Sequence, residues 1–254
     1  MRQAVAAEWT KLWSVRATWW CLAGATALMA LAALTLGTAR ATEHPGQSFP
    51  VTEPVVSAST FTQIALVVLG ILAITSEYAS GSIRGTLQAT PIRGAMLAAK
   101  ALVVAPVLFA AGVVSGGIGA ALSYLVLRTG IFGASGTLPW SALSDLLRLG
   151  VSSALVSVMA LGVGAALRSA AGTLTVVFML LMGLPLVLVM TGSQALVEVS
   201  FRLPMFAGLA FMESTDNLTG GPIPYSSGEG LAWLVFWAAL ALASGYAVLR
   251  RRDA

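Results

Sequence analysis

The chain has 254 residues, of which 57% are hydrophobic and 9% are charged, and its net charge is +4. A soluble domain carries about 25% charged residues and needs them to cover even a large core with a polar surface. The composition therefore excludes a soluble globular protein and predicts an integral membrane protein. The basic residues stand in short clusters between apolar runs, a pattern typical of membrane topology and not of a nucleic-acid-binding surface.

Residues 1–16 precede the first apolar run and are predicted to form an amphipathic helix at the membrane interface. Its apolar side recurs at three- and four-residue spacing, continuing into the next segment: Val5, Trp9, Leu12, Trp13 and Trp20. Glu8 and Lys11 fall on another side, and tryptophan favours the lipid interface. Glu8, Trp9, Lys11, Leu12 and Trp13 are thus the candidate interfacial residues. The helix is either a membrane anchor or a contact surface for a cytoplasmic partner.

Six apolar runs follow, each near the roughly 20 residues that an α-helix needs to cross a bilayer. They cover residues 17–38, 58–76, 101–127, 149–167, 172–191 and 231–249. The runs are long and uninterrupted, which favours helices over the alternating short strands of a barrel. The first is too long for a cleaved signal peptide. We therefore predict an all-α polytopic protein, with residues 1–254 forming one transmembrane domain.

The distribution of Lys and Arg predicts the orientation of these spans. With the N-terminus in the cytoplasm, the cytoplasmic segments hold ten Lys or Arg residues and the outer segments hold four. Six spans return the C-terminus to the same side, where Arg250, Arg251 and Arg252 follow one another. Both termini are predicted to be cytoplasmic.

The segment between the second and third runs, residues 77–100, is the most informative part of the chain. It begins with Glu77, continues through a short possible helix, and is interrupted at Thr90-Pro91, where proline ends one helix and suits the first position of the next. From the residues alone, it is either a lever across the membrane face that a soluble partner can push, or an ordinary polar loop.

The same segment resembles the signature of ABC-2 type transporter permeases. The matching features are Glu and an aromatic residue, then Gly, Thr-Leu, Pro, Arg and a later Lys. The opening Ala7-Glu8-Trp9-Thr10-Lys11-Leu12 resembles the N-terminal segment of bacterial members, and the six-span order agrees.

This resemblance implies the membrane subunit of an ATP-driven exporter in a bacterial plasma membrane, paired with a second identical or paralogous permease. A separate ATPase subunit would bind ATP and Mg²⁺, while this chain would bind no cofactor. The segment 77–100 would supply the helix that docks into the ATPase. The implied coupling residues are Glu77, Tyr78, Gly81, Arg84, Thr86, Leu87, Pro91, Arg93 and Lys100.

Two further features bear on packing. The stretch 192–230 contains apolar segments too short to span, and the resemblance implies short re-entrant or interfacial helices there, with an ordinary loop as the alternative. Gly112, Gly116 and Ala120 recur every four residues in the third run. Such small residues let helices pack closely, within the subunit or at a dimer seam. Pro106 and Pro185 are candidate kinks.

Several functions are disfavoured by what the sequence lacks. It contains no phosphate-binding Gly-x-x-x-x-Gly-Lys-Ser/Thr motif, and His44 and Cys21 are its single histidine and cysteine. We therefore predict that the chain is not an enzyme and holds no metal. The six runs contain no Asp, Glu, Lys, Arg or His, which argues against a proton relay. A non-transporting scaffold or immunity protein and a secondary carrier are the alternative functions.

Overall fold

The computed structural model describes residues 1–89, 92–214 and 223–251, which are largely helical. The first five helices are α1 (Arg2–Ser14), α2 (Arg16–Glu43), α3 (Thr52–Ser80), α4 (Ile83–Ala89) and α5 (Arg93–Leu127). The remainder are α6 (Ala142–Leu167), α7 (Ala170–Phe178), α8 (Leu184–Met190), α9 (Gln194–Phe201), α10 (Pro204–Phe211) and α11 (Ser227–Arg251). A π-helical turn, Met179–Gly183, joins α7 to α8.

The prediction of six apolar helices is confirmed. Among the described residues, six helices are long and apolar enough to cross a membrane: α2, α3, α5, α6, the continuous Ala170–Met190 helix and α11. Most are longer than the apolar runs predicted. In particular, α5 begins at Arg93, eight residues before the predicted start at 101. Backbone hydrogen bonds, and not apolar side chains, hold an α-helix together. A helix can therefore extend beyond its apolar run into polar residues at either end.

Helix α6 lies at the centre of the bundle and packs against α3, α5 and α11. In its most apolar window 72% of residues are buried, compared with 22% in α2 and α11. The cause is its small side chains, which bring the neighbouring backbones close. An added Cβ at Gly162 would lie 2.5 Å from the backbone nitrogen of Leu242, and one at Gly245 would lie 2.6 Å from the carbonyl oxygen of Gly162.

The small-residue row of α5 packs within the chain. An added Cβ at Gly112 would lie 2.8 Å from the Ser153 hydroxyl, and one at Gly116 would lie 2.5 Å from a methyl group of Leu149. Both neighbours belong to α6, and Ala120 is buried in the core. Of the two predicted uses of this row, the structure supports packing inside the subunit.

The bundle has two ends, which we name the strand end and the α4 end. At the strand end, β1 (Ser48–Pro50) pairs in parallel with β2 (Ser135–Thr137), and so joins the segments that follow α2 and α5. An ion pair of 2.6 Å links Arg40 and Glu53 nearby. The α4 end holds α1, α4 and the adjoining ends of α3, α5, α6 and α11, which meet in an apolar cluster that includes Ile83 and Leu249.

Two short helices, α9 and α10, precede α11. Every residue from Leu203 to Ala210 is buried, although α10 has only eight residues and cannot cross a bilayer. Helices were thus expected correctly in this stretch, of which residues 215–222 lie outside the described residues. The two prolines differ in effect. Helix α5 continues through Pro106, whereas Pro185 lies two residues after the last residue of the π-helical turn, and its missing N–H removes one backbone hydrogen bond there.

The contact between α6 and α11 leads to a test of the packing. We expect Gly162→Ala to lower the unfolding temperature in detergent, because the new methyl group would overlap backbone atoms that cannot move aside. Gly24→Ala in α2 is the matched control, since an added Cβ there has no neighbour within 4 Å. This control should be neutral or slightly stabilising, by about 0.5–1 kcal/mol. Equal thermal stability of the two variants would contradict the close α6–α11 approach.

Candidate functional site

The N-terminal helix α1 folds back against α5 and is separated from α2 by one extended residue, Val15. The Thr18 hydroxyl donates a hydrogen bond to the Leu12 carbonyl across this break. The helix exposes Trp9, which is 49% exposed, and buries Glu8, which is 8% exposed. Glu8 therefore faces the bundle, where a buried lysine binds it, and part of the tryptophan face lies outside.

The tryptophans around this break contact one another. The ring centroids of Trp9 and Trp13 are 5.6 Å apart in an edge-to-face arrangement, and those of Trp13 and Trp19 are 5.1 Å apart. Trp20 is 77% exposed on α2 and does not share a helix with Trp9 and Trp13, contrary to the continuous periodicity predicted. These exposed indoles mark a band around the α4 end of the kind that favours a lipid interface.

Lys100 is the centre of a charged cluster at the α4 end. Its side chain is 1% exposed, and its ammonium group lies 2.6 Å from Glu8 Oε2 and 2.7 Å from Glu77 Oε1. It also donates a hydrogen bond of 3.1 Å to the Ala73 carbonyl oxygen. All three protons of the ammonium group are therefore used, as a buried charge requires.

Lys11 completes the cluster from α1. Its ammonium group donates to Glu8 Oε1 at 3.0 Å, Glu77 Oε1 at 2.9 Å and Thr86 Oγ1 at 3.0 Å. Burial opposes the charge of Lys11, but hydrogen bonds and charge attraction from Glu77 and Glu8 outweigh it, so the pKa of Lys11 is raised above its ordinary value. Lys11 thus stays protonated at neutral pH and links α1 to both α3 and α4.

The cluster balances its charge within itself. It contains two lysines, which are the only lysines of the chain, and two glutamates. A buried charge costs several kcal/mol unless it is paired and hydrogen-bonded, and here each ammonium group contacts both carboxylates. One acceptor is left over, because the buried Glu77 Oε2 has no hydrogen-bond partner among the described residues.

Helix α4 connects this cluster to the surface. Gly81 ends α3 in the left-handed conformation, with φ of +72°, which lets the chain turn sharply into α4. Ile83 is buried, whereas Arg84, Gly85 and Gln88 are exposed. The helix is therefore fixed by one side and presents the other outward.

The remaining predicted coupling residues lie around α4. The Tyr78 ring packs under the Arg168 guanidinium, with 5.3 Å from the guanidinium carbon to the ring centroid. Arg93 begins α5 and donates a hydrogen bond to the Leu249 carbonyl of α11. Leu87 lies within α4, and Pro91 lies outside the described residues. The structure thus brings Glu77 and Thr86 into direct contact with Lys11, and Glu77 also into contact with Lys100. It sets Tyr78 against Arg168 at the end of α6 and Arg93 against α11.

The sequence indicated these residues but not their mutual contacts. Glu8 and Lys11 were assigned to a polar face, and nothing connected them to Lys100, 92 residues along the chain from Glu8. One available signal was that two lysines and two glutamates border apolar runs, where unpaired charges are costly. The Ala73 carbonyl could not be identified as an acceptor, because it depends on the backbone geometry of α3.

The arrangement joins the ends of α1, α3, α4 and α5 through ion pairs and hydrogen bonds. Among the described residues, no group of three or more His, Cys, Asp or Glu side chains is placed to hold a metal ion. No protein-family model matches the chain, and no curated protein sequence is similar to it.

The buried position of Lys100 generates a stability prediction. We expect Lys100→Met to destabilise the protein by about 3–5 kcal/mol, because it leaves the buried Glu8 and Glu77 carboxylates short of one cation. Lys11→Met should reduce the free energy of unfolding by less, because the Lys11 side chain is 45% exposed and water can replace its ammonium group as a partner of the carboxylates. Unfolding temperatures in detergent compare the two variants.

A double variant separates charge balance from lost packing. Glu77→Gln combined with Lys100→Met removes one charge of each sign and should recover part of the loss. A Lys100→Met protein as stable as the unmodified chain would contradict the structural role of the cluster.

Proposed function

We propose that this chain is the membrane subunit of an ATP-driven exporter and couples to a separate ATPase through residues 77–100. The proposal rests on the resemblance of this segment to ABC-2 type permeases and on one structural observation. That observation is a short helix, α4, that exposes one side between two long helices and connects to the buried charged cluster. A second permease copy or paralogue would complete the translocation path in a bacterial plasma membrane.

The contacts of α4 support a path for force. A push on its exposed side, which carries Arg84 and Gln88, would reach α1 through the hydrogen bond from Lys11 to Thr86. The same displacement would reach α3 and α5 through Glu77 and Lys100. Because the ion pairs join the helices at their ends, α4 and the three helices would move together. ATP-driven closure of two ATPase subunits would then reorient the permease helices.

The decisive experiment is affinity purification of the tagged chain from its native host, followed by identification of the bound ATPase. We expect Arg84→Glu to reduce the amount of co-purified ATPase at least several-fold, because Arg84 is on the exposed side of α4. Arg128→Glu is the matched control, since Arg128 is an exposed arginine at the strand end, and should retain the ATPase. Equal recovery with both variants would remove α4 as the docking element.

The proposed orientation has its own test. In a Cys21→Ser background, we introduce single cysteines at Gln88 and Thr129, exposed positions at opposite ends of the bundle. A membrane-impermeant maleimide applied to intact cells should label the cysteine at 129 and leave that at 88 unmodified. Labelling at 88 would place α4 outside the cell, where no cytoplasmic ATPase could reach it.

A secondary carrier is the second candidate, and Lys100 is the observation that favours it. Ionisable residues buried within membrane-spanning helices often mark ion or proton pathways, and Lys100 lies eight residues into α5, as Arg93 begins that helix. Transport that stops when the proton gradient is dissipated but continues without ATP would favour the carrier. Stable recovery of an ATPase that is never stimulated by a substrate would instead favour a scaffold.

A further inference from the structure

A cavity of about 460 Å³ opens beside the charged cluster, between the α1–α2 break and the helices α3, α4 and α5. This volume falls within the range of about 300–1,000 Å³ typical of small-molecule sites. Its lining has an apolar part, which includes Leu69, Leu72 and Val104, and a polar part, which includes Glu77 and Lys11 and lies nearer to α4; we name these parts the apolar wall and the polar wall. The site therefore suits an amphipathic ligand with one polar and one apolar end.

The charges of the polar wall specify what kind of head group fits. The charges of the two lysines and two glutamates sum to zero, so neither an anion nor a cation gains a net attraction to the cluster. A zwitterion, in contrast, can contact groups of both signs. The buried Glu77 Oε2 has no hydrogen-bond partner among the described residues, so this wall calls for an N–H or O–H donor. A primary ammonium group supplies N–H donors, while a trimethylammonium group has none.

The other charge of the ligand has a partner in Lys11. The Lys11 side chain is 45% exposed, and its hydrogen bond to the Thr86 hydroxyl is the most exposed of its three hydrogen bonds. A phosphate oxygen can replace the Thr86 hydroxyl there and form a charge-assisted hydrogen bond. Ammonium against Glu77 and phosphate against Lys11 match the order of groups in an ethanolamine phospholipid.

The surroundings indicate that such a ligand would come from the lipid. The cavity adjoins the α1–α2 break, and Val15, which lines it, is 52% exposed. Trp19 and Trp20, 59% and 77% exposed, lie at the same level of the bundle. Indole rings favour the head-group region of a bilayer. The apolar wall then continues toward the acyl chains, as a bound phospholipid requires.

We infer that this cavity binds one phospholipid with a primary ammonium head group, taken from the membrane leaflet at the α4 end. Glu77 accepts from the ammonium group, Lys11 donates to the phosphate, and Leu69, Leu72 and Val104 contact the first part of an acyl chain. The site requires neither an ATPase nor transport, so it can be tested on the purified chain.

Native mass spectrometry of the full chain in detergent tests the inference. Phosphatidylethanolamine, phosphatidylcholine and phosphatidylglycerol with identical acyl chains are added at equal concentration. We expect phosphatidylethanolamine to bind about tenfold more tightly than the other two, as one charge-assisted hydrogen bond allows. Glu77→Gln should reduce this preference. Equal binding of the three lipids by the unmodified protein would overturn the inference, whatever the fate of the variants.

A matched pair of variants locates the site. Ser76→Trp places a large ring at an exposed position that lines the cavity and should abolish the preference for phosphatidylethanolamine. Ala79→Trp, exposed on the same helix but not lining the cavity, should retain it. Unchanged binding by a folded Ser76→Trp protein would contradict the location. Displacement of the lipid by an equal concentration of soluble phosphoethanolamine would contradict a lipid as the occupant.

Discussion

The pairing of Lys100 constrains the whole α4 end of the protein. An ammonium group with 1% exposure is stable only if acceptors surround it, and here the acceptors come from Glu8 in α1 and from Glu77 and Ala73 in α3. These helices must therefore meet at one point on α5. The orientation of α1 follows directly, since Glu8 can reach Lys100 only if it turns inward and leaves Trp9 outside. A helix held in this way by ion pairs is anchored to the bundle.

The cluster and the small-residue contacts divide the mechanical roles in the bundle. At Gly162 and Gly245, the backbones of α6 and α11 lie so close together that no side chain fits between them. This close packing makes the pair rigid. The ion pairs instead join α1, α3 and α5 through long side chains, whose contacts can shift without breaking helices. Arg93 connects the two regions by its bond to the Leu249 carbonyl. A displacement of α4 would thus act first on the charged cluster and would be resisted by the α6–α11 pair.

The sequence predicted the long helices because apolar runs of about 20 residues require a helix in a membrane. It also predicted the short helix after Gly81 and the close packing at Gly112 and Gly116. The apolar run from 101 begins later than α5, since Arg93 and Lys100 interrupt the apolar pattern without interrupting the backbone hydrogen bonds. Periodicity identified two faces of α1 but could not say which one meets a buried cation. The parallel pairing of β1 and β2, 87 residues apart at Ser48 and Ser135, has no local signal at all.

The Glu77 Oε2 acceptor, which has no hydrogen-bond partner in the part of the chain that the structure describes, connects the proposed lipid with the proposed coupling. All three protons of Lys11 are used within the protein, one of them on Thr86 of α4. A phosphate that competes with Thr86 would weaken the connection between α1 and α4, while an ammonium group on Glu77 Oε2 would strengthen the hold on α3. The proposed lipid would then act on the same contacts that are proposed to carry force from α4. If both proposals hold, coupling strength would depend on head-group chemistry as well as on the ATPase, since Lys11 and Glu77 would serve both roles.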